Sequence, residues 1–490
     1  MLAIQYFNTR RKTAAGLFLL FAFVFFIRLV MQLRSPFACG IDGYYYALQI
    51  KEFLAAGVFH IPDSSPVLYL LTGIAAMGGG TVLSLKIGAA LLGALPLIPG
   101  YLLGSTIGKK SSWGFLLAGL LSCSVSLSYL SIELFKNLGA LSFLLFTLYT
   151  FIRIESGERS TGLVFAAGFF FLLTLLSHRS TALLALLYGC VLVFRILPCS
   201  LKKKLFLTGG TLAVFIGILL LGKGIHPADL GRFVGTLSPL PVLPLLSAKL
   251  RLLFPATLLI ELSAAALVPW ILIFFRKAIP SPLLRVVWLS LFPLFLPFWK
   301  LDGATMGFRL ALVGVPLALI VLIAVMHTRQ KQRSTAVWLQ RLPLFLIPVL
   351  LVILPGTAYR PATDPPYARY SRLLASFSLP KGSVLICHRG LNLFYKYTTG
   401  NEGLSYIPDF PVPRERLWRL AAYVDAAAFK RAAQGRRNCV RPALWPYLLV
   451  REDVWQRALT TLPPQERELL QNSYNPFKKK PWYLRRQQRR

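Results

Sequence analysis

Apolar runs of about 17–22 residues recur through the first three quarters of the chain, separated by short polar breaks. A helix needs about that length to cross the hydrocarbon layer of a bilayer. The runs lie near residues 14–33, 83–105, 114–130, 138–152, 162–177, 181–197, 205–222, 253–275, 283–298, 309–326 and 342–356. They predict an all-α polytopic membrane protein of about eleven transmembrane helices. After residue 357 the pattern changes. "GSVLIC" (Gly382 to Cys387) and "PYLLV" (Pro446 to Val450) read as short buried strands, while "RERLWRLAAYV" and "QERELLQN" read as helices. The chain therefore divides into a transmembrane domain, 1–357, and a small α/β C-terminal domain, 358–490, joined through the Pro-rich stretch "RPATDPPYARY".

The basic residues orient this array. Arg10, Arg11 and Lys12 precede the first run and put the N-terminus in the cytoplasm, with that run retained as an anchor. Every second loop is then basic: Lys109 and Lys110, Arg153 and Arg159, Lys202 to Lys204, Arg276 and Lys277, and Arg329, Lys331 and Arg333. The alternation predicts an extracytoplasmic C-terminal domain.

Composition adds little to the fold and something to the compartment. The chain is 56% hydrophobic, and its formal net charge of +36 comes from 54 basic against 18 acidic residues. Much of that excess is loop charge, and a basic stripe outside the membrane is a poor fit to nucleic acid, so no nucleic-acid partner is expected. The tail "FKKKPWYLRRQQRR" (Phe477 to Arg490) suits anionic headgroups, a charged acceptor or a disordered basic tail equally well. Cys387 and Cys439 fall in the outer domain, where oxidation is permitted, but spacing does not establish that they pair. The chain has no Asn-x-Ser/Thr sequon, which favours a bacterial inner (cytoplasmic) membrane.

Unusual polar residues collect in the loops on the outer side. "GIDGYYYALQI" places Asp42 and a row of three tyrosines, Tyr44, Tyr45 and Tyr46, directly after the first run. Lys51, Glu52, His60 and Asp63 follow, then "PVLYLLTGIAAM" as a helix lying in the interface. "SIELFKN" carries Glu133, Lys136 and Asn137; "SHRST" carries His178 and Arg179; "KLDGATMGFR" leads to Arg309. Charges this close to spans are expensive unless they face a polar cavity or each other. Glu133 and Lys136, three apart, satisfy the spacing of a helical ion pair, and the tyrosines satisfy that of an interfacial belt. Glu261 lies within a predicted span, with Lys86 near the end of another.

An acid followed by tyrosines in the first outer loop resembles the GT-C class of membrane glycosyltransferases. That class includes oligosaccharyltransferase catalytic subunits, protein mannosyltransferases and the aminoarabinose transferases of lipid A. "ELFKNLGALSFLLF", "LSHRSTALLALL" and "GFRLALVGVPLALI" resemble further stretches of that class, in order and on one face, over about residues 14–356. The second loop offers one acid where oligosaccharyltransferases have a pair, and the C-terminal domain has no WWD-like motif. The single-sugar transferases are thus the better comparison.

The resemblance implies transfer of a sugar from a polyprenyl-phosphate-linked donor to a lipid, glycan or protein acceptor on the outer face, within the lipid bilayer. A hydroxyl acceptor needs a base, and Asp42 is the candidate. The developing phosphate charge needs cations: Lys136, Arg179 and Arg309, with His178 a weaker candidate. Tyr44, Tyr45 and Tyr46 would line the cleft. Glu133 would orient a second proton, pair with Lys136, or join Asp42 on a divalent cation such as Mg or Mn. Two other classes stay open, a surface-polysaccharide polymerase or ligase and a secondary transporter. The acid-plus-tyrosine loop argues against the first, and the lack of an internal repeat against the second.

Overall fold

The computed structural model describes residues 2–40, 42–196, 256–295, 306–330, 366–387, 390–404, 412–422, 426–434, 438–444 and 447–461, with scattered positions at 200–213, 350, 353 and 463–467. The expected spans 205–222 and 342–356, the loop 223–251, Lys300, Asp302 and the tail 477–490 lie outside the described residues, as does most of "QERELLQN".

The chain forms two compact units. One comprises Met1–Arg34 and Pro62–Thr363, the other Ser35–Ile61 and Asp364–Arg490.

The first unit is helical. Its elements are α1 (Leu2–Leu33), α3 (Pro66–Ala76), α4 (Thr81–Ala94), α5 (Leu97–Gly108), α6 (Ser111–Cys123), α7 (Val125–Glu133) and α8 (Phe135–Glu155). Then come α9 (Thr161–Ser177), α10 (Arg179–Ile196), α11 (Ala256–Ile271) with a 3-10 extension to Ala278, α12 (Pro282–Leu294) and α13 (Met306–Gln330). Among the described residues six helices are long and apolar enough to cross a membrane, and seven if the bent pair α6–α7 is one span. The expected runs at 162–177 and 283–298 appear as the shorter apolar helices α9 and α12. The protein is an integral membrane protein.

Serine placement explains several boundaries. Ser160 and Ser281 cap α9 and α12 by accepting the amide hydrogens of Leu163 and Leu284. Pro66 and Pro282 sit in the first turn of α3 and α12, where a missing N–H costs nothing. The interhelical faces are apolar and fully buried, as at Leu117, Leu138, Leu141, Leu144 and Val321. Phe18, Phe165 and Phe274 stay exposed, as expected where lipid is the solvent.

The second unit joins α2 (Gly43–Ala56) to a five-stranded sheet with its helices. The strands are β1 (Val384–Ile386), β2 (Glu402–Leu404), β3 (Leu417–Ala422), β4 (Val440–Pro442) and β5 (Tyr447–Arg451), in the order β2-β1-β3-β5-β4. β1 pairs in parallel with β2 and β3, whereas β3–β5 and β5–β4 are antiparallel. The helices are α14 (Pro366–Ala375), α15 (Leu391–Thr399), α16 (Ala426–Ala433) and α17 (Glu452–Thr461). The two expected strands are present. "RERLWRLAAYV" is not a helix: after one 3-10 turn it becomes β3, the central strand. Leu417, Trp418 and Leu420 are buried there, and sheet pairing on both edges overrides a helix-compatible pattern. Part of the expected connector is also ordered, since α14 begins at Pro366. Cys387 and Cys439 are both buried, and neither forms a disulfide. The sheet core includes one ion pair, with Arg419 held by Glu452 through an Nη2–Oε1 bond of 2.8 Å and stacked over Trp455.

Candidate functional site

The turn that opens the second unit needs its two glycines. Gly40 has φ 76°, in the left-handed region. At Gly43 a Cβ would lie 2.9 Å from the Ala38 Cβ, so only glycine lets α2 start so close to the preceding turn. Asp42 stands between them at the N-cap of α2, with no side-chain cap hydrogen bond. The Asp42 carbonyl accepts the Tyr46 amide hydrogen at 3.2 Å, which starts the helix.

The three tyrosines divide by helical geometry. The Tyr44 ring packs edge-on against Tyr367, Phe394 and Tyr397, with centroids 4.5, 4.6 and 5.1 Å away. Burial pushes its phenol pKa up to about 12, with the neighbouring Tyr397 adding to the effect. Tyr367 Oη donates to the Gly40 carbonyl at 2.9 Å and so ties the turn to α14. Tyr46 is also buried, and Tyr45 is partly exposed, its oxygen accepting from Gln49 Nε2 at 3.0 Å. Further along, Lys51 donates to the Tyr397 carbonyl at 2.9 Å. Lys396 pairs with Glu402 at 2.8 Å and reaches Glu52 at 4.0 Å and His60 Nδ1 at 3.5 Å.

The first unit collects the cations. Lys136 is the second residue of α8, Arg179 the first of α10 and Arg309 the fourth of α13. His178 lies between α9 and α10 and senses all three. Its pKa is held well below the usual histidine range by burial, then by Lys136, Arg309 and Arg179. The ring is therefore neutral at pH 7. Its Nδ1 accepts the Ser180 amide hydrogen at 3.3 Å and lies 2.8 Å from Ser180 Oγ. That acceptor role assigns the ring proton to Nε2. Four residues from three separate loops of the sequence are thus neighbours.

Lys136 pairs with Asp63, and both side chains are mostly buried, 22% and 14% exposed. Asp63 Oδ1 accepts the Ser65 amide hydrogen at 2.9 Å, which leaves Oδ2 for the lysine. Lys136 is paired with Asp63 and does not share a helix with Glu133, so the two lack the helical i, i+3 spacing. Glu133 ends α7, Leu134 departs from helical geometry at φ −137°, ψ 59°, and Lys136 belongs to α8. Asp63 had no assigned role, and no periodicity relates residues 73 apart. Arg309 is half-buried, and its Nε is buried with no hydrogen-bond partner among the described residues, an expensive condition for a cation.

Among the described residues no three His, Cys, Asp or Glu side chains gather closely enough to hold a metal ion.

No protein-family model matches the chain, and no curated protein does. Solved structures do. The oligosaccharyltransferase of Archaeoglobus fulgidus, in complex with Zn and sulfate, aligns over 85% of this chain and 70% of its own at 14% identity, with a TM-score of 0.47. ArnT from Cupriavidus metallidurans in the apo state aligns over 89% of this chain and 98% of its own at 12% identity, with a TM-score of 0.55. The same ArnT bound to undecaprenyl phosphate gives 11% identity over the same shares, again at 0.55. At these identities the ArnT matches establish the fold alone, and this chain shares the fold of ArnT.

Proposed function

We propose that this GT-C-fold protein is a membrane glycosyltransferase that moves a sugar from a polyprenyl-phosphate carrier to an acceptor outside the cytoplasm. One observation carries the reading: Lys136, Arg179 and Arg309 stand in the first turns of three helices, and all three charges bear on the half-buried, neutral His178. A cation at a helix N-terminus opposes the macrodipole at a cost of about 0.3–1 kcal/mol each. Three such placements make sense when an anion completes the site, and a phosphate also gives Arg309 Nε the acceptor it lacks. The ArnT structure with undecaprenyl phosphate supports the choice of a polyprenyl phosphate over a free anion.

In the transfer, an acceptor oxygen attacks the anomeric carbon and the bond from that carbon to the phosphate oxygen breaks. The phosphate leaves with the electron pair, and the acceptor proton passes to a carboxylate. Asp42 is assigned as that base. Lys136, Arg179 and Arg309 stabilise the departing charge, and Asp63 fixes the Lys136 ammonium. His178 donates from Nε2 as a neutral group, which adds direction without a fourth charge. Tyr45, the partly exposed member of the row, is left to meet sugar or headgroup, while Tyr44 and Tyr46 hold α2.

The test is binding of undecaprenyl phosphate to the detergent-solubilised full chain. Arg309→Ala should weaken it about 10–100-fold, the loss of a charged hydrogen bond. Asp42→Asn should keep the affinity and lose transfer by about 100-fold or more, the usual contribution of a general base. Unchanged affinity in Arg309→Ala would remove the phosphate site from this cluster.

A further inference from the structure

Two ionisable side chains in the spans take no part in the transfer just described: Arg28 in α1, only 1% exposed, and Glu261 in α11. Both meet the break between α6 and α7. There the chain leaves helical geometry at Ser124 (φ −61°, ψ 124°), and the two helices are bent by 52°. Such a break leaves the last carbonyls of α6 and the first amides of α7 without helical partners, where no water can satisfy them.

Side chains from two other helices supply what is missing. Ser124 Oγ accepts the Leu127 amide hydrogen at 3.2 Å. Glu261 Oε2 accepts both the amide hydrogen and the hydroxyl of Ser126, each at 2.6 Å. On the opposite side, Arg28 Nη2 donates to the Ser122 carbonyl at 3.3 Å and Nη1 to Ser131 Oγ at 3.3 Å. One turn along α1, Gln32 Nε2 donates to the Ser131 carbonyl at 3.4 Å. A guanidinium thus sits at the carbonyl end of α6 and a carboxylate at the amide end of α7, each of the sign the helix dipole favours. Gly93 of α4 makes room for it, since a Cβ there would lie 2.8 Å from Arg28 Cδ and 3.1 Å from Nη1.

We propose that Arg28 and Glu261 are positioning residues for the corner that carries Glu133 and Lys136. From the sealed break α7 runs nine residues to Glu133, about 13 Å of stiff helix. After Leu134 comes α8, with Lys136 in its first turn. Holding α7 at the break therefore sets where the ammonium of Lys136 stands relative to Asp63 and His178. The consequence for phosphate binding rests on the transferase reading; the mechanical link itself does not. Glu261 is on this account a fixed cap and not a station on a transport pathway.

The full-length protein carries its own reporters. Cys123 lies at the break and is 5% exposed, Lys136 lies at the corner, and Cys387, fully buried in the other unit, reports general unfolding. Thiols would be labelled with N-ethylmaleimide and amines with acetic anhydride, and each site read by peptide mass spectrometry. Glu261→Ala should raise labelling of Cys123 and Lys136 together by about 10-fold, the effect of losing charged hydrogen bonds on a local opening, with Cys387 protected. Glu261→Gln keeps an oxygen acceptor at the break, so it should give a smaller rise at the same two sites. It also carries the test if the alanine variant does not fold. Unchanged labelling at both sites, or an opened Cys123 beside an unchanged Lys136, would overturn the proposal. So would a Cys387 that opens in step with them, since that marks general loss of structure. No lipid enters the labelling, so a wild type that fails to bind undecaprenyl phosphate would sink the lipid-phosphate assignment alone.

Discussion

His178 and His60 are both half-buried beside lysines, and both have their pKa lowered by that placement. At His178 neutrality is useful, because a fourth positive charge would repel the three cations already there. At His60 the outcome is a pH dependence of stability. Burial, then Lys396, lowers its pKa from the ordinary 6.5 to about 4. Between those values the unfolded chain holds a proton that the folded chain does not, so stability falls as pH drops from 6.5 towards 4 and this group adds no further loss below. His60→Gln should flatten that part of the melting-temperature curve; the charged groups beside it are Lys396 and, paired with that lysine, Glu402 and Glu52. A variant as acid-sensitive as the wild type between pH 7 and 4 would place the dependence elsewhere. At this scale the sequence carried residue types and little geometry. Lys136, His178, Arg179 and Arg309 could be singled out as polar groups at span ends, whereas the Asp63 partner of Lys136 could not, because pairing across 73 residues leaves no periodic trace.

At the scale of elements, α2 owes its position to aromatic packing within its own unit. Phe394 of α15 touches Phe37, Tyr44, Tyr367 and Tyr370, with centroids 6.1, 4.6, 5.5 and 6.3 Å away. Phe394→Ala should destabilise this unit by about 3–5 kcal/mol, the usual cost of such a truncation in a core. Hydrogen exchange of the α2 amides should quicken, while affinity for undecaprenyl phosphate, assigned to the other unit, should hold. Equal losses in both would contradict the assignment. The row of tyrosines was visible in the sequence, but its division into buried Tyr44 and Tyr46 and partly exposed Tyr45 depends on partners more than 300 residues away. The break at Ser124 was equally hidden, because "LLSCSVSLSYLS" contains neither proline nor glycine and reads as one continuous span. "RERLWRLAAYV" misled for the opposite reason: its spacing suits a helix, and only sheet neighbours make it β3.

For the whole molecule, length and periodicity of apolar runs were enough to predict a polytopic helical array, because the bilayer dictates both. Nine of the eleven expected runs coincide with apolar helices among the described residues, including the bent pair. The C-terminal sheet was recognisable from two of its strands, Val384–Ile386 and Tyr447–Arg451, whose residues are almost all apolar. Motif order resembled that of the GT-C class, and the ArnT matches give the chain the fold of ArnT despite 11–12% identity. The central claim is that the cationic cluster holds the phosphate of a polyprenyl carrier. The most direct measurement is mass spectrometry of the lipids that co-purify with the protein in mild detergent, wild type beside the double variant Lys136→Ala/Arg309→Ala. The account predicts a polyprenyl phosphate or its glycoside in the wild type, depleted in the variant, and the mass of a glycoside would identify the class of sugar. Bulk phospholipid alone in both samples, from folded protein, would contradict it.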